Sequence, residues 1–180
     1  MMRAVFSLTA AAALFASGVQ AQTFADAARA NMAIAAQFCL QPGLQGPMRA
    51  ANFRASGFAE RVDRSTSNSD TTHYFSAPGE TVLVELYYGE MPQHCFGVTQ
   101  FMGVTGTSEV LDQLIPKLFP GFIRKVQQGL VNPVNGQPAI CVTYEDPSNP
   151  IGLAIGATPG GGANGCVDNG TSSFFSTYRV

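Results

Sequence analysis

Charge is scarce in this chain. Lys and Arg number 10, Asp and Glu 12, and His 2, in 180 residues. No cationic run occurs. Lys117, Arg124 and Lys125 are too few to face a row of phosphates, so nucleic acid is not an expected partner. Long hydrophobic runs are also missing. Beyond residue 21 no segment approaches the roughly 20 apolar residues that a membrane-spanning helix needs. No C-x-x-C pair exists, which speaks against a zinc site or a thioredoxin-like redox centre. No metal or cofactor is expected. A G-x-S-x-G nucleophile elbow is absent. The Gly-rich stretch Gly156–Gly165 continues into Cys166-Val167-Asp168. A phosphate loop would need a Lys-Ser or Lys-Thr pair and then a helix, and a dinucleotide fingerprint would also need the helix. With no basic residue within ten positions, the stretch reads as a surface loop.

What is present begins at the N-terminus. Met1-Met2-Arg3 carries one positive charge, Ala4–Ala16 is uncharged and mostly apolar, and Ser17–Ala21 is short and more polar. Small residues at Val19 and Ala21 fit signal-peptidase cleavage before Gln22. Residues 1–21 are thus expected to be a signal peptide, with 22–180 one disulfide-bonded domain in the periplasm or outside the cell. Without Arg3 the mature chain has nine basic and twelve acidic residues, a formal charge of −3. All four cysteines, Cys39, Cys95, Cys141 and Cys166, lie in it. In an oxidising compartment an even number predicts two disulfides, with three connectivities open. Each would close a long loop, worth about 3–4 kcal/mol in the chain-entropy model.

Periodicity gives the element order. Phe24–Leu40 reads as an amphipathic helix with Phe24, Ala28, Ala35 and Phe38 on one stripe, Thr23 as its cap, and Pro42-Gly43 as its end. Its last turn delivers Cys39, so one disulfide should pin it to the sheet. A short helix over Pro47–Arg54 follows, closed by Gly57. The period then changes to two. Strands are expected over Phe58–Arg64, Thr72–Ala77, Thr81–Tyr88 and Gln93–Phe101, with turns at Ser65–Asp70 and Pro78-Gly79. In the third strand Val82, Val84, Leu86 and Tyr88 share one face. Thr81, Leu83, Glu85 and Tyr87 share the other, which is polar enough to be wet. Thr107 or Ser108 should cap a helix to Phe119, with Val110, Leu111, Leu114, Ile115 and Leu118 as its stripe and Pro116 awkward within it. Strands over Phe122–Leu130, Ala139–Tyr144 and Ile151–Ala157 follow, the first two separated by turn chemistry at Asn132–Gly136. Ser173–Tyr178 suits an edge strand. The expectation is an α+β domain: one antiparallel β-sheet of about seven to eight strands, with the N-terminal and central helices packed on one face. The halves share a helix-then-meander order without a residue-level repeat.

Candidate sites are few. His73 and His94 are the two imidazoles available for acid–base work, and both adjoin strand ends. Glu80, Glu85, Glu90 and Glu145-Asp146 do not form an evident carboxylate pair. Asn169-Gly170-Thr171 fits a glycosylation acceptor, relevant only in a eukaryotic source. Tyr74, Tyr87, Tyr88, Phe96 and Phe101 offer a surface for a protein partner or a small apolar ligand, provided they stand on the uncovered sheet face. The leading functional expectation is a non-catalytic exported binding module. Two alternatives stand beside it: a hydrolase whose site assembles around His73 or His94, and a structural envelope-associated protein.

Overall fold

The computed structural model describes residues 10–64, 71–88, 94–131, 138–148, 152–160, 166 and 170–178. The chain runs α1 (Ala10–Leu40), α2 (Gly46–Ala55), β1 (Ala59–Arg64), β2 (Thr71–Ser76), β3 (Leu83–Tyr88), β4 (His94–Thr99), α3 (Val104–Leu118), β5 (Ile123–Val131), β6 (Pro138–Glu145), β7 (Leu153–Thr158) and β8 (Ser172–Tyr178). The eight strands form one sheet in the order β1-β2-β3-β4-β8-β7-β6-β5, and every neighbouring pair is antiparallel. Two four-stranded meanders therefore meet at a β4–β8 seam. The expected α+β class and single antiparallel sheet are what the structure has.

Alternation along each strand decides which residues meet the helices. Phe75, Val84, Leu86, Val142, Ile155, Ala157 and Phe174 point into the core, where Met32, Ala35 and Ala36 of α1, Phe53 of α2 and Val104, Leu111 and Ile115 of α3 cover them. The buried stripe of α1 is Ala28, Met32, Ala35, Ala36 and Cys39, the i, i+4, i+7, i+8, i+11 spacing of a helix face. The expected stripe is thus half right. Ala28 and Ala35 are in it, Phe38 is half-buried, and Phe24 is 43% exposed and stacks on Phe101 at 5.3 Å. Small side chains, not the aromatic ones, let α1 lie close to the sheet.

The end of α2 follows from one glycine. Gly57 takes φ +80°, which costs a residue without a Cβ little. Its N–H donates to Arg54 O at 3.0 Å, and the N–H of Phe58 donates to Phe53 O at 3.1 Å. This is the Schellman pattern, completed by the apolar contact that accompanies it: the Phe53 and Phe58 rings lie 5.2 Å apart.

Three sequence expectations change. First, α3 begins at Val104 with Gly103 as N-cap, one turn before Thr107 and Ser108. The Thr107 hydroxyl is committed elsewhere, donating to Ser172 Oγ at 2.6 Å, and Ser172 donates to Met102 O at 2.7 Å. A buried hydroxyl chain between α3 and β8 replaces the cap. Second, β8 is no edge strand. It lies between β4 and β7 at the centre of the sheet, and Phe174 is fully buried. Third, Thr23 lies within α1 and does not cap it, as does the Ala21-Gln22 position. The Gly-rich stretch divides too: Gly156, Ala157 and Thr158 belong to β7. Residues 161–165 and the turns at 65–70 and 132–136 lie outside the described residues.

Two disulfides are formed, Cys39–Cys95 and Cys141–Cys166. The first ties the last turn of α1 to β4, as the position of Cys39 suggested. The second ties β6 to the segment before β8. Disulfides fit an oxidising extracellular compartment. No helix among the described residues is long and apolar enough to cross a membrane.

Candidate functional site

The helices cover one face of the sheet. On the other, strand register builds rows of side chains. One row runs Arg61, Tyr74, Glu85, Phe96, Phe175 and Gly156 across β1, β2, β3, β4, β8 and β7. The next holds Ala59, Ser76, Leu83, Val98 and Ser173. A third holds Asp63, Thr72, Tyr87 and His94. Between the first two rows lies a trough of about 440 Å³, bordered by Ala59, Arg61, Tyr74, Leu83, Phe96 and Val98, with Glu85 at its polar side. Leu83 is 48% exposed there, an apolar side chain that the fold leaves in water.

The polar groups around the trough are ordered. Arg61 Nη1 reaches Asp63 at 2.8 Å, and its guanidinium stands 4.3 Å from the centre of the Tyr74 ring, a cation–π distance. His94 Nε2 is 3.0 Å from Glu85 Oε1. The imidazole stacks on Tyr87 at 5.1 Å and on Phe96 at 6.1 Å. Ladder geometry explains this: Tyr87 is directly opposite His94, and Phe96 is two residues along the same face.

The other meander presents a different open face. Phe175 leans over Gly156, where a Cβ would come within 2.3 Å of the ring. Gly160 packs near Val98, its carbonyl accepts a hydrogen bond from Thr171 Oγ1 at 3.3 Å, and Cys166 is bonded to Cys141. Gly160 and Cys166 are both buried. Gly160 thus sits beside β4 of the first meander, while Cys166 is tied to β6 of the second.

Of the aromatic surface expected from sequence, Tyr74, Tyr87 and Phe96 come together on the open face. Tyr88 has the register of the covered face, and its side chain lies outside the described residues. Phe101 lies beyond the end of β4, against Phe24 of α1. Sequence reading missed Arg61, Leu83 and Val98 as lining. The signal for Leu83 was present in the alternation that puts it beside Glu85 and Tyr87.

The two histidines are far from equivalent. His94 is on the open face, its side chain 42% exposed, and no serine is bonded to it among the described residues. His73 is buried on the covered face, with Nδ1 2.6 Å from Glu60 Oε1. Glu60 is also gripped by Arg54, through Nε at 2.6 Å and Nη2 at 2.7 Å. The Arg54 hydrogen bonds hold the Glu60 carboxyl below its ordinary range against the opposing effect of burial, and His73 adds to the lowering. This cluster braces α2 against β1 and β2. A second polar brace holds α3: the Tyr144 hydroxyl donates to Asp112 Oδ1 at 2.7 Å, and Arg124 Nε reaches the same oxygen at 3.0 Å. Burial, then the Asp112 carboxylate, pushes the Tyr144 phenol well above its ordinary value. Among the described residues no group of three or more His, Cys, Asp or Glu is placed to hold a metal ion. No protein-family model, curated protein or solved structure matches the chain, so its function has to be argued from this geometry.

Proposed function

We propose that this protein is a non-catalytic binding module, exported by a signal peptide cleaved at Ala21-Gln22 and working in the periplasm or outside the cell. Its binding surface is the open face of the β1–β4 meander, for an apolar ligand or a protein partner. One observation carries the reading. The trough over Tyr74, Leu83, Phe96 and Val98 keeps apolar and aromatic surface in water on a face that no helix covers. Exposed apolar surface rimmed by ordered polar groups is the usual form of a binding site. A hydrolase has less support here. His73 is spent on a structural ion-pair cluster, and His94 has a carboxylate but no serine beside it among the described residues.

An apolar fluorescent probe such as 1-N-phenylnaphthylamine tests the reading. The protein should bind it saturably, and Leu83→Asp, which places a charge in the trough, should weaken it by at least about tenfold while the fold persists. Equal binding by the variant, or none by the parent protein, would refute the assignment. N-terminal sequencing of the exported protein should begin at Gln22, and an uncut N-terminus would overturn the export part.

A further inference from the structure

We infer that the trough takes a small organic cation, an alkylamine or alkylammonium compound. Its charge rests on Glu85 between Tyr74 and Phe96, and its apolar part lies along Leu83, Val98 and Ala59. This rests on the reading of the open face as a ligand site and adds a charge and a size to it.

Charge complementarity comes first. The other charges around the trough are already paired: Arg61 with Asp63, and Glu60 with Arg54. Glu85 is the exception. Its contact is the His94 imidazole on Oε1, while Oε2 has no partner among the described residues. His94 thus meets one carboxylate oxygen and leaves the other open to a cationic donor. The trough therefore offers an open carboxylate oxygen, on a side chain only 26% exposed. Partial withdrawal from water strengthens the attraction of a cation to it.

Ring placement adds a second argument. The register sets Tyr74 and Phe96 directly across from Glu85, one on each neighbouring strand. An ammonium on the carboxylate would lie between two aromatic rings, the arrangement in which rings bind cations. Tyr74 already shows this affinity toward the Arg61 guanidinium, 4.3 Å from its centroid. Arg61 is held by Asp63, so it marks the outer end of the site, and among the described residues no ion pair links it to Glu85.

Size selects the occupant. A trough of about 440 Å³ is within the range of small-molecule sites, roughly 300–1,000 Å³. A stable protein partner would need about 800 Å² on this side, and the paired charges at Arg61 and Asp63 border the apolar strip along β1. A free small molecule fits better than a polypeptide.

Isothermal titration of the purified protein with n-octylammonium, 1-octanol and octanoate tests this. Octylammonium should bind about tenfold tighter than octanol, and octanoate weakest. Glu85→Gln, checked by circular dichroism, should bring octylammonium down to the octanol level and leave octanol unchanged. Equal affinity for all three probes in the parent protein would overturn the cation assignment and leave an apolar site standing. Tightest binding of octanoate would overturn it in favour of Arg61 as anchor. Retained cation preference in Glu85→Gln would also overturn it. Failure of all three probes together with phenylnaphthylamine would remove the binding-site reading itself.

Discussion

The two halves of this molecule have the same order of parts and use their open faces differently. Each places its helical part, α1 and α2 in one and α3 in the other, before a four-stranded antiparallel meander, and all three helices lie on the same side of the shared sheet. Each half also braces its helical layer with an arginine, a carboxylate and a third polar group: Arg54, Glu60 and His73 in one, Arg124, Asp112 and Tyr144 in the other. Each has one disulfide, but on opposite sides of the sheet. In the first half Cys39–Cys95 works from the helical side and leaves the open face bare. In the second, Cys141–Cys166 fastens the chain on the open side. The contrast teaches that the two halves share the helix-covered face as their common core and differ in where their covalent tie is placed.

The sharpest way to probe the comparison is at the seam. Phe174 and Phe175 are neighbours on β8 with opposite orientations; Phe174 is fully buried against the helices and Phe175 lies on the open face. Phe174→Ala should cost about 3–5 kcal/mol in urea unfolding and Phe175→Ala less than half of that. Equal losses would mean that the two faces are packed alike.

Disulfides come next. Opening Cys39–Cys95 by replacing both cysteines with Ala should cost about 4 kcal/mol, and opening Cys141–Cys166 about 3.5 kcal/mol, for separations of 56 and 25 residues. The second change should also leave probe binding at the trough intact, because neither cysteine lines it. A loss of binding on removing Cys141–Cys166 would show that the halves share one site.

Two glycines under rings sharpen the contrast at smaller scale. A Cβ at Gly97 would meet the buried Phe174 ring at 2.5 Å, whereas one at Gly156 would meet the tip of the half-exposed Phe175 ring. Gly97→Ala should destabilise by about 1–3 kcal/mol through overpacking, and Gly156→Ala by less, since its ring can swing toward solvent. Thermal unfolding of the two variants decides it.

The smallest expected effects are in the pH limbs. Glu60 has a folded-state pKa below its ordinary 4.5. Its contribution is therefore present above that value and is lost as pH falls through the folded pKa, because the unfolded chain takes up the proton first. Tyr144 is shifted the other way. Its contribution is complete below its ordinary value of 10.0 and declines above it, because the unfolded phenol ionises first. Glu60→Gln should flatten the acid limb of stability and Tyr144→Phe the alkaline limb. Stability curves between pH 3 and pH 11 that stay superimposable would show that neither brace contributes.

Much of the fold could be read from local pattern. The period of two in Leu83–Tyr88 located a strand and sorted its faces. Pro47 and Gly57 bounded α2 within a residue, because φ preferences at helix ends are properties of single residues. Readings failed where a distant partner competes. Thr107 looked like a cap, but its hydroxyl is drawn to Ser172, 65 positions away. Ser173–Tyr178 suited an edge strand, yet it lies at the centre, because local pattern says little about place in a sheet. The candidate site was legible only in part: Tyr74, Tyr87 and Phe96 stood out as aromatic, while Leu83, Val98 and Arg61 become lining only through cross-strand register.

By itself the sequence determined the class of the protein. Its alternation and helical stripes require one-sided burial, and its four cysteines fit two disulfides of an oxidising compartment. Only tertiary structure decided the strand order, the pairing of Cys39 with Cys95 and Cys141 with Cys166, and the meeting of Tyr74, Glu85 and Phe96 in one row. The reason is physical. Periodicity depends on torsions and burial that each residue meets locally. Pairing and register depend on which distant surfaces find each other, and that is settled by packing the whole chain at once.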